Sequence, residues 1–137
     1  MIIFVKNAKL LDSFALIKFF NEEPGAHIVE TIIAQSRKDH FPLYLTEINA
    51  GEIYYIIARK NGQEKAEEVL NLMRTIPFQW LSCTWEQILS AARLKAQYPL
   101  SYADCFALAA AIEYHVELIT GDPEFKSVVH LVKIRWV

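Results

Sequence analysis

Short apolar runs that alternate with longer amphipathic runs constrain the fold of this chain more than any other feature. This alternation is typical of an α/β domain built around a mainly parallel sheet. The short runs predict five strands, at residues 8–11, 43–46, 78–81, 117–120 and 128–134. The longer runs predict helices at residues 13–20, 25–37, 47–60, 63–74, 85–97 and 101–115.

Length and composition fit a single domain. The 137 residues are 53% hydrophobic and 22% charged, which predicts one domain over residues 1–137, with residues 1–7 as an extra edge strand or an N-terminal extension. Cys83 and Cys105 lie in different segments, so neither a disulfide framework nor a zinc site is predicted. No apolar run approaches the roughly 20 residues that span a bilayer, and the opening apolar stretch is too short for a secretory signal. We therefore expect a cytoplasmic protein without a membrane partner.

The net charge limits how the chain could bind nucleic acid. A formal net charge of −2 argues against a broad electrostatic grip, because non-specific binding comes mostly from Lys and Arg at phosphates. Any contact with nucleic acid must therefore be local.

Four carboxylates fall where the chain leaves a predicted strand or enters the following helix: Asp12, Glu52, Asp104 and Asp122. Each aspartate alone fits a helix cap, because Asp side chains satisfy the free backbone N–H groups of a first turn. Asp104 lies three residues after Ser101, as in a capping box, and Asp122 stands in turn-forming sequence before a proline. A purely structural role stays open for each aspartate taken alone.

Glu52 fits a structural role less well. Helical spacing places it on a stripe with Ile48, Tyr55 and Ile56. Burying an ionised carboxylate without a partner costs several kcal/mol or forces it to take up a proton. The stripe offers no Arg or Lys, so a metal ion or a basic partner would resolve the conflict. A small rotation of the stripe would instead bring Glu52 to solvent.

Together the four acids predict a metal-holding nuclease site. In open α/β sheets the ligand crevice lies at the carboxyl edge of the strands, where these acids are expected to meet. Carboxylates that converge there repel one another and raise their own pKa values unless a cation intervenes. Oxygen-rich sites select Mg²⁺ or Mn²⁺ over zinc. The chemistry that most often needs such a site is phosphodiester hydrolysis.

Four segments of the chain carry a family resemblance: LLDSFALIKFF, INAGEIYYIIARK, PLSYADCFALAAA and ELITGDPEF. In this order they resemble the signature segments of PIN-domain ribonucleases, and most closely those of VapC-type toxins from prokaryotic toxin–antitoxin pairs. The resemblance runs from about Lys9 to the end of the sequence. It implies a PIN-like three-layer domain with a twisted, mainly parallel sheet of about five strands flanked by helices.

The resemblance also implies roles for individual residues. Asp12, Glu52, Asp104 and Asp122 would bind Mg²⁺ or Mn²⁺ and cut RNA, leaving a 5′-phosphate and a 3′-hydroxyl. The residues that match the family's supporting polar positions are Ser13, Asn49 and Thr120.

Two protein partners are implied in the same way: a second copy of the chain, forming a homodimer, and a small antitoxin whose tail lies in a groove beside the site. The paired aromatics Phe19-Phe20 and Tyr54-Tyr55 either line such a groove or belong to the core.

Three other interpretations compete with the toxin. A stand-alone PIN endonuclease for RNA processing would share the site but have no antitoxin. A catalytically silent PIN-like module would bind protein or RNA, and loss of an acid would be its signature. A phosphorelay receiver would need a phosphoacceptor Asp after the third strand and a Lys after the fifth. The chain has Ser82-Cys83-Thr84 after the third strand and no suitably placed Lys, which disfavours the receiver.

Overall fold

Residues 6–137, which the computed structural model describes, contain one parallel sheet of five strands. The strands are β1 (Lys9–Leu11), β2 (Leu43–Thr46), β3 (Phe78–Leu81), β4 (Glu117–Thr120) and β5 (Ile134–Trp136). Their order across the sheet is β3-β2-β1-β4-β5, and every neighbouring pair is parallel. The predicted α/β fold class with a sheet of about five strands is confirmed.

The helices follow the predicted pattern closely. They are α1 (Ser13–Phe20), α2 (Ala26–Asp39), α3 (Glu47–Asn61), α4 (Gln63–Thr75), α5 (Trp85–Gln97) and α6 (Tyr102–Tyr114). Thr84 and Gln87 form a reciprocal capping box at the start of α5. Gly62 lies between the end of α3 and the start of α4. Its φ of 93° is a backbone conformation that residues other than glycine rarely adopt. Local capping chemistry therefore fixes these two boundaries.

The fifth strand lies later in the chain than predicted. Residues 128–134 were expected to be extended, but a 3₁₀ helix covers Pro123–Val128 and β5 begins at Ile134. Phe125 and Val128 are both fully buried, and their three-residue spacing puts them on one side of a 3₁₀ turn. Of the residues in the predicted strand, Val128 fills the core from the end of the 3₁₀ helix, whereas Val129 is 56% exposed.

The extra edge strand considered for residues 1–7 falls largely on residues 1–5, which lie outside the described residues. Lys6 and Asn7 form a turn before β1.

The strands carry a core on each face of the sheet. Leu11, Leu45 and Ile119 pack with apolar residues of α1 to α4. Their neighbours Leu10, Tyr44 and Leu118 face the other way and pack with α5, α6 and the 3₁₀ helix. Alternate residues of a strand point to opposite faces, so strands buried on both sides read as continuous apolar runs. Burying one such leucine contributes about 1.5–3 kcal/mol.

The strand order places a crevice beside the central strand β1. The chain leaves β1 towards β2 on one side, and β4 pairs with β1 on the other. Ligand crevices in open α/β sheets lie where the winding direction reverses in this way, at the carboxyl ends of the strands. Leu11 and Ile119 are register partners, so the residues that follow them stand side by side at that edge.

No helix within residues 6–137 is both long and apolar enough to cross a bilayer.

Candidate acidic site at the carboxyl edge of the sheet

Asp12 lies at the centre of the carboxyl edge and is fully buried. One carboxylate oxygen, Oδ1, accepts a 2.9 Å hydrogen bond from the Ala15 backbone N and so caps α1. The other, Oδ2, accepts a 2.5 Å hydrogen bond from the Thr120 hydroxyl. The cap and a role in the site are therefore compatible, because each occupies a different oxygen.

The surroundings of Asp12 favour its neutral form. Burial is the largest cause of its raised pKa, which is about 7 instead of the ordinary 3.8. The hydrogen bonds from Thr120 and Ala15 lower this pKa, while the negative charges of Asp122 and Glu52 raise it. A group in this balance becomes fully ionised near neutral pH once positive charge is supplied.

Asp104 stands in the first turn of α6 with 4% of its surface exposed. The Ser101 hydroxyl caps the helix by accepting a 3.2 Å hydrogen bond from the Asp104 backbone N, so this cap does not use the Asp104 carboxylate. Burial is the first cause of its raised pKa of about 8, followed by the charges of Asp122 and Asp12. A separate hydrogen bond between the Ser101 side chain and the Asp104 carboxyl lowers this pKa, and the charge of Glu52 raises it. Asp104 is thus electrostatically linked to the other three acids.

Asp122 caps the 3₁₀ helix and belongs to a tight carboxylate cluster. Its Oδ1 accepts a 2.9 Å hydrogen bond from the Glu124 backbone N. Carboxylate oxygens of Asp104, Asp122 and Glu124 lie within 4.8 Å of one another. Glu124 was not among the predicted site residues. No local signal marks it, because it is an exposed acid that follows a proline at the start of a short helix.

Glu52 lies beside the buried face of α3, and that face differs from the predicted one. The buried stripe of α3 consists of Asn49, Ala50, Ile53 and Ile57, whereas Tyr55 is 47% exposed. The predicted stripe through Ile48 and Tyr55 is therefore wrong by a small rotation, and Glu52 sits half-buried at the margin of the true stripe. The Ser13 hydroxyl donates a short hydrogen bond to Glu52 Oε1.

Asn49 joins α3 to the first turn of α6. It is fully buried, and its Nδ2 donates a 3.4 Å hydrogen bond to the Ala103 carbonyl, one residue before Asp104. The Thr46 hydroxyl donates to Asn49 Oδ1 at 2.5 Å and accepts from the Asn49 backbone N at 3.0 Å. Thr46 thus holds Asn49 in place, and Asn49 positions the helix turn that carries Asp104.

The site brings together all four acids that the sequence singled out, and its donor set suits a hard divalent cation. With the pKa of Asp12 raised to about 7 and that of Asp104 to about 8, these carboxyl groups are not all ionised at neutral pH, and added positive charge would favour their ionised forms. Carboxylate oxygens are the ligands that Mg²⁺ and Mn²⁺ prefer, whereas zinc prefers nitrogen and sulfur. The residues present therefore fit Mg²⁺ or Mn²⁺, with Asp104, Asp122 and Glu124 in mutual reach of one ion.

A partly apolar groove of about 980 Å³ lies between the end of α1, α2 and the end of α4. Its apolar lining includes Phe19, Phe20, Ile33, Leu72 and Ile76, and its charged lining includes Glu22, Glu23, Glu30 and Arg37. The predicted pair Phe19-Phe20 is part of this groove. The other predicted pair is placed elsewhere: the Tyr54 hydroxyl donates to Glu67 at 2.6 Å, and the Tyr55 ring lies under the Arg59 guanidinium.

Comparison with known proteins gives a consistent result. Residues 9–131 match the family model of the PIN domain. No curated protein sequence matches the chain significantly. Among solved structures, VapBC2 from Rickettsia felis bound to a promoter DNA fragment is similar, with a TM-score of 0.73, 11% identity, and coverage of 95% of this chain and 98% of that one.

Two further structures are similar in the same way. VapC20 from Mycobacterium tuberculosis, a Sarcin-Ricin loop cleaving toxin, gives a TM-score of 0.69 at 13% identity and covers 87% of this chain and 93% of its own. DNA-bound VapBC from Salmonella typhimurium gives a TM-score of 0.70 at 15% identity and covers 93% and 96% of the two chains. At such low identity these likenesses show a shared fold.

Proposed function

The chain belongs to the PIN domain family, and on that premise we propose that it is a Mg²⁺- or Mn²⁺-dependent endoribonuclease, the toxin of a VapBC-type toxin–antitoxin pair. One observation carries the proposal. Acids from four separate segments converge at the carboxyl edge of the sheet, where burial and mutual repulsion raise the pKa of Asp12 to about 7 and that of Asp104 to about 8. Converging carboxyl groups with raised pKa values are suited to binding a divalent cation.

Each residue has a distinct part in this proposal. Asp12, Glu52, Asp104 and Asp122 hold the metal, and Glu124 lies close enough to Asp104 and Asp122 to contribute a ligand. When bound, divalent ions supply activation of water and stabilisation of the charge that develops on the phosphodiester.

Hydroxyl and amide side chains beside the acids orient them through hydrogen bonds. Thr120 donates to Asp12, and Ser13 donates to Glu52, so both carboxylates are oriented before any cation binds. Asn49 holds the α6 turn that presents Asp104. Groups that orient metal ligands typically change metal affinity or activity about 10–100-fold when they are removed.

The test is cleavage of total cellular RNA by purified wild type and Glu52→Gln, each with Mg²⁺, with Mn²⁺ and with EDTA, followed by sequencing of the new ends. We expect discrete, metal-dependent cuts with 5′-phosphates that disappear in Glu52→Gln. Exposed Glu113→Gln on α6 is the matched control and should cut like the wild type. Failure to cut under every condition would favour the silent PIN-like module.

The antitoxin is proposed as the occupant of the groove that Phe19 and Phe20 help to line. Its apolar floor and acidic rim suit an amphipathic segment with basic residues. The solved relatives in this fold include VapBC pairs. Co-expression with the product of any adjoining small gene tests this: the product should co-purify with the wild type and be lost from a Phe20→Glu variant that still folds. A stand-alone nuclease would co-purify with no such product.

A homodimer and a single domain over residues 1–137 complete the proposal. Light scattering after size exclusion should give about twice the 15.8 kDa mass of the chain. Thermal unfolding should show one cooperative transition, as expected for one domain of this length.

A further inference from the structure

Val137 occupies a slot beside the acidic site that is built from α1, the start of α2 and the segment after β4. The Val137 backbone N donates a 3.0 Å hydrogen bond to the Thr120 carbonyl. From the other side, Lys18 Nζ on α1 donates a 2.9 Å hydrogen bond to the Val137 carbonyl. Lys18 is half-buried, and its ammonium lies 5.5 Å from the centre of the Phe14 ring.

Two glycines make room for this residue. A Cβ at Gly121 would lie 2.5 Å from the Val137 carbonyl oxygen and 2.8 Å from Cε1 of Phe14. A Cβ at Gly25, whose φ is +99°, would lie 3.0 Å from the Val137 carbonyl carbon. The slot thus depends on close backbone approach, which glycine alone permits.

Val137 in this slot contacts the segment that carries Asp122. Gly121, which is packed against Val137, is the residue before Asp122. Besides its bond to Asp12, Thr120 makes two further hydrogen bonds: its carbonyl accepts from the Val137 backbone N, and its hydroxyl accepts at 3.0 Å from the Asp122 backbone N. Gly121 is therefore packed against Val137, and the Asp122 backbone is tied to Thr120 at the end of β4.

This support lies beside the carboxylate cluster. Asp122 is partly exposed, and its carboxylate lies within 4.8 Å of oxygens of Asp104 and Glu124. Keeping three carboxyl groups this close requires the backbone that carries them to be held in place, and the contacts of Val137 with Thr120 and Gly121 hold the backbone next to Asp122.

We propose that Lys18 is a positioning residue: by holding Val137 against Gly121, it fixes Asp122 close to Asp104 and Asp12. The inference rests on the proposed function for its meaning in metal binding. Lys18 acts through Val137 and Gly121 and does not touch the reacting atoms.

Amide hydrogen exchange of the metal-free protein tests the support without any assay of activity. Lys18→Met removes the donor and keeps the length of the side chain, Lys18→Arg keeps a donor, and exposed Lys38→Met on α2 is the control for lost charge. We expect the Asp122 and Glu124 amides to exchange roughly tenfold faster in Lys18→Met and at wild-type rates in Lys38→Met, because only the former loses local protection. Lys18→Arg should restore most of the protection.

Calorimetric titration with MnCl₂ on the same proteins tests the consequence. The Mn²⁺ dissociation constant should rise roughly tenfold in Lys18→Met and stay unchanged in Lys38→Met. Unchanged exchange at Asp122 in Lys18→Met overturns the inference, and so does faster exchange with unchanged Mn²⁺ affinity. A wild type that binds no Mn²⁺ refutes the proposed function instead, and the exchange comparison then decides alone whether Lys18 fixes Asp122.

Discussion

The Thr120 hydroxyl donates a 2.5 Å hydrogen bond to Asp12 Oδ2 between the ends of two neighbouring parallel strands, 108 residues apart in the chain. The same hydroxyl oxygen accepts from the Asp122 backbone N at 3.0 Å. One small side chain thus orients two of the acids, and it also lowers the pKa of Asp12 against the effect of burial.

Thr120→Val should lower the rate of RNA cleavage by about 10–100-fold without preventing folding. Valine has nearly the same shape but neither donates to Asp12 nor accepts from Asp122. The cleavage rate at saturating Mn²⁺ and the circular dichroism spectrum measure the two effects. Thr31→Val, which removes an exposed hydroxyl on α2, is the matched control and should leave the rate unchanged. A fully active Thr120→Val would show that the hydroxyl does not orient the acids.

Asp12→Asn and Asp104→Asn should each abolish metal-dependent cleavage while the protein stays folded. Each change removes a ligand charge with little change in volume. Asp39→Asn, at the exposed end of α2, should cleave like the wild type. Mn²⁺ titration and a cleavage time course measure the effect, and persistent cleavage in both variants would refute the assigned site.

The free energy of unfolding of the metal-free protein should fall as the pH rises from about 4 to about 8. Asp12 and Asp104 have folded-state pKa values of about 7 and about 8, against 3.8 for an unperturbed carboxyl. Between these limits the folded state binds more protons than the unfolded state, so rising pH favours unfolding. Urea titrations in EDTA at several pH values measure the slope.

Asp104→Asn should flatten this pH dependence, and added Mn²⁺ should raise stability most at the alkaline end, where the acids are ionised. At pH 8 in EDTA the variant should therefore be more stable than the wild type, although it has no activity. Stability of the metal-free wild type that rises between pH 5 and pH 8 would contradict the burial argument.

Lys9→Met should reduce stability without affecting the rate of cleavage. Lys9 Nζ lies 2.9 Å from Glu117 Oε1 at the opposite, amino end of β1 and β4, with both side chains largely buried. Burial alone would raise the pKa of Glu117, but the hydrogen bond and charge of Lys9, together with Lys133, lower it below its ordinary value. Leaving Glu117 without this partner should cost about 1–3 kcal/mol near pH 7, measured by urea titration.

The same pair predicts a second pH effect of opposite sign. Because the folded-state pKa of Glu117 is lowered, its contribution to stability is present above the unfolded-state pKa and is lost as the pH falls. The difference in stability between wild type and Lys9→Met should therefore shrink in acid. Lys126→Met, which removes an exposed lysine, should show no such difference.

The sequence was sufficient to predict helix boundaries that depend on capping chemistry within a few residues. Thr84 and Gln87 form a capping box where the predicted helix 85–97 begins, and Gly62 ends α3 within two residues of the predicted end at residue 60, because both signals act within a few residues. It failed at residues 128–134, since apolar residues that fill a core look alike in a strand, a turn and a loop. Which of these forms depends on the packing of Phe125 and Val128 against α5 and α6 on one face of the sheet. A local sequence pattern does not contain that contact.

The convergence of Asp12, Glu52, Asp104 and Asp122 could be predicted from the sequence, but the geometry around them could not. The identity of the acids follows from their positions beside buried runs, but the roll of α3 that brings Glu52 to Ser13 differs from the predicted stripe. A helix with several apolar residues at neighbouring angles allows more than one buried face, and packing selects between them. Glu124 was missed because an exposed acid after proline is indistinguishable from a solubilising charge until Asp104 is brought beside it.

The pairing of β4 with the central strand β1 has a consequence for synthesis of the chain. Residues 12–116 separate β1 from β4, and the segment after β4 supplies Asp122, so the carboxylate set is complete only after residue 122 has been made. Joining segments so distant in sequence also requires closing a long loop, which makes this pairing a late event in folding. A growing chain therefore holds an incomplete set of acids until residue 122 has been made and β4 has paired with β1.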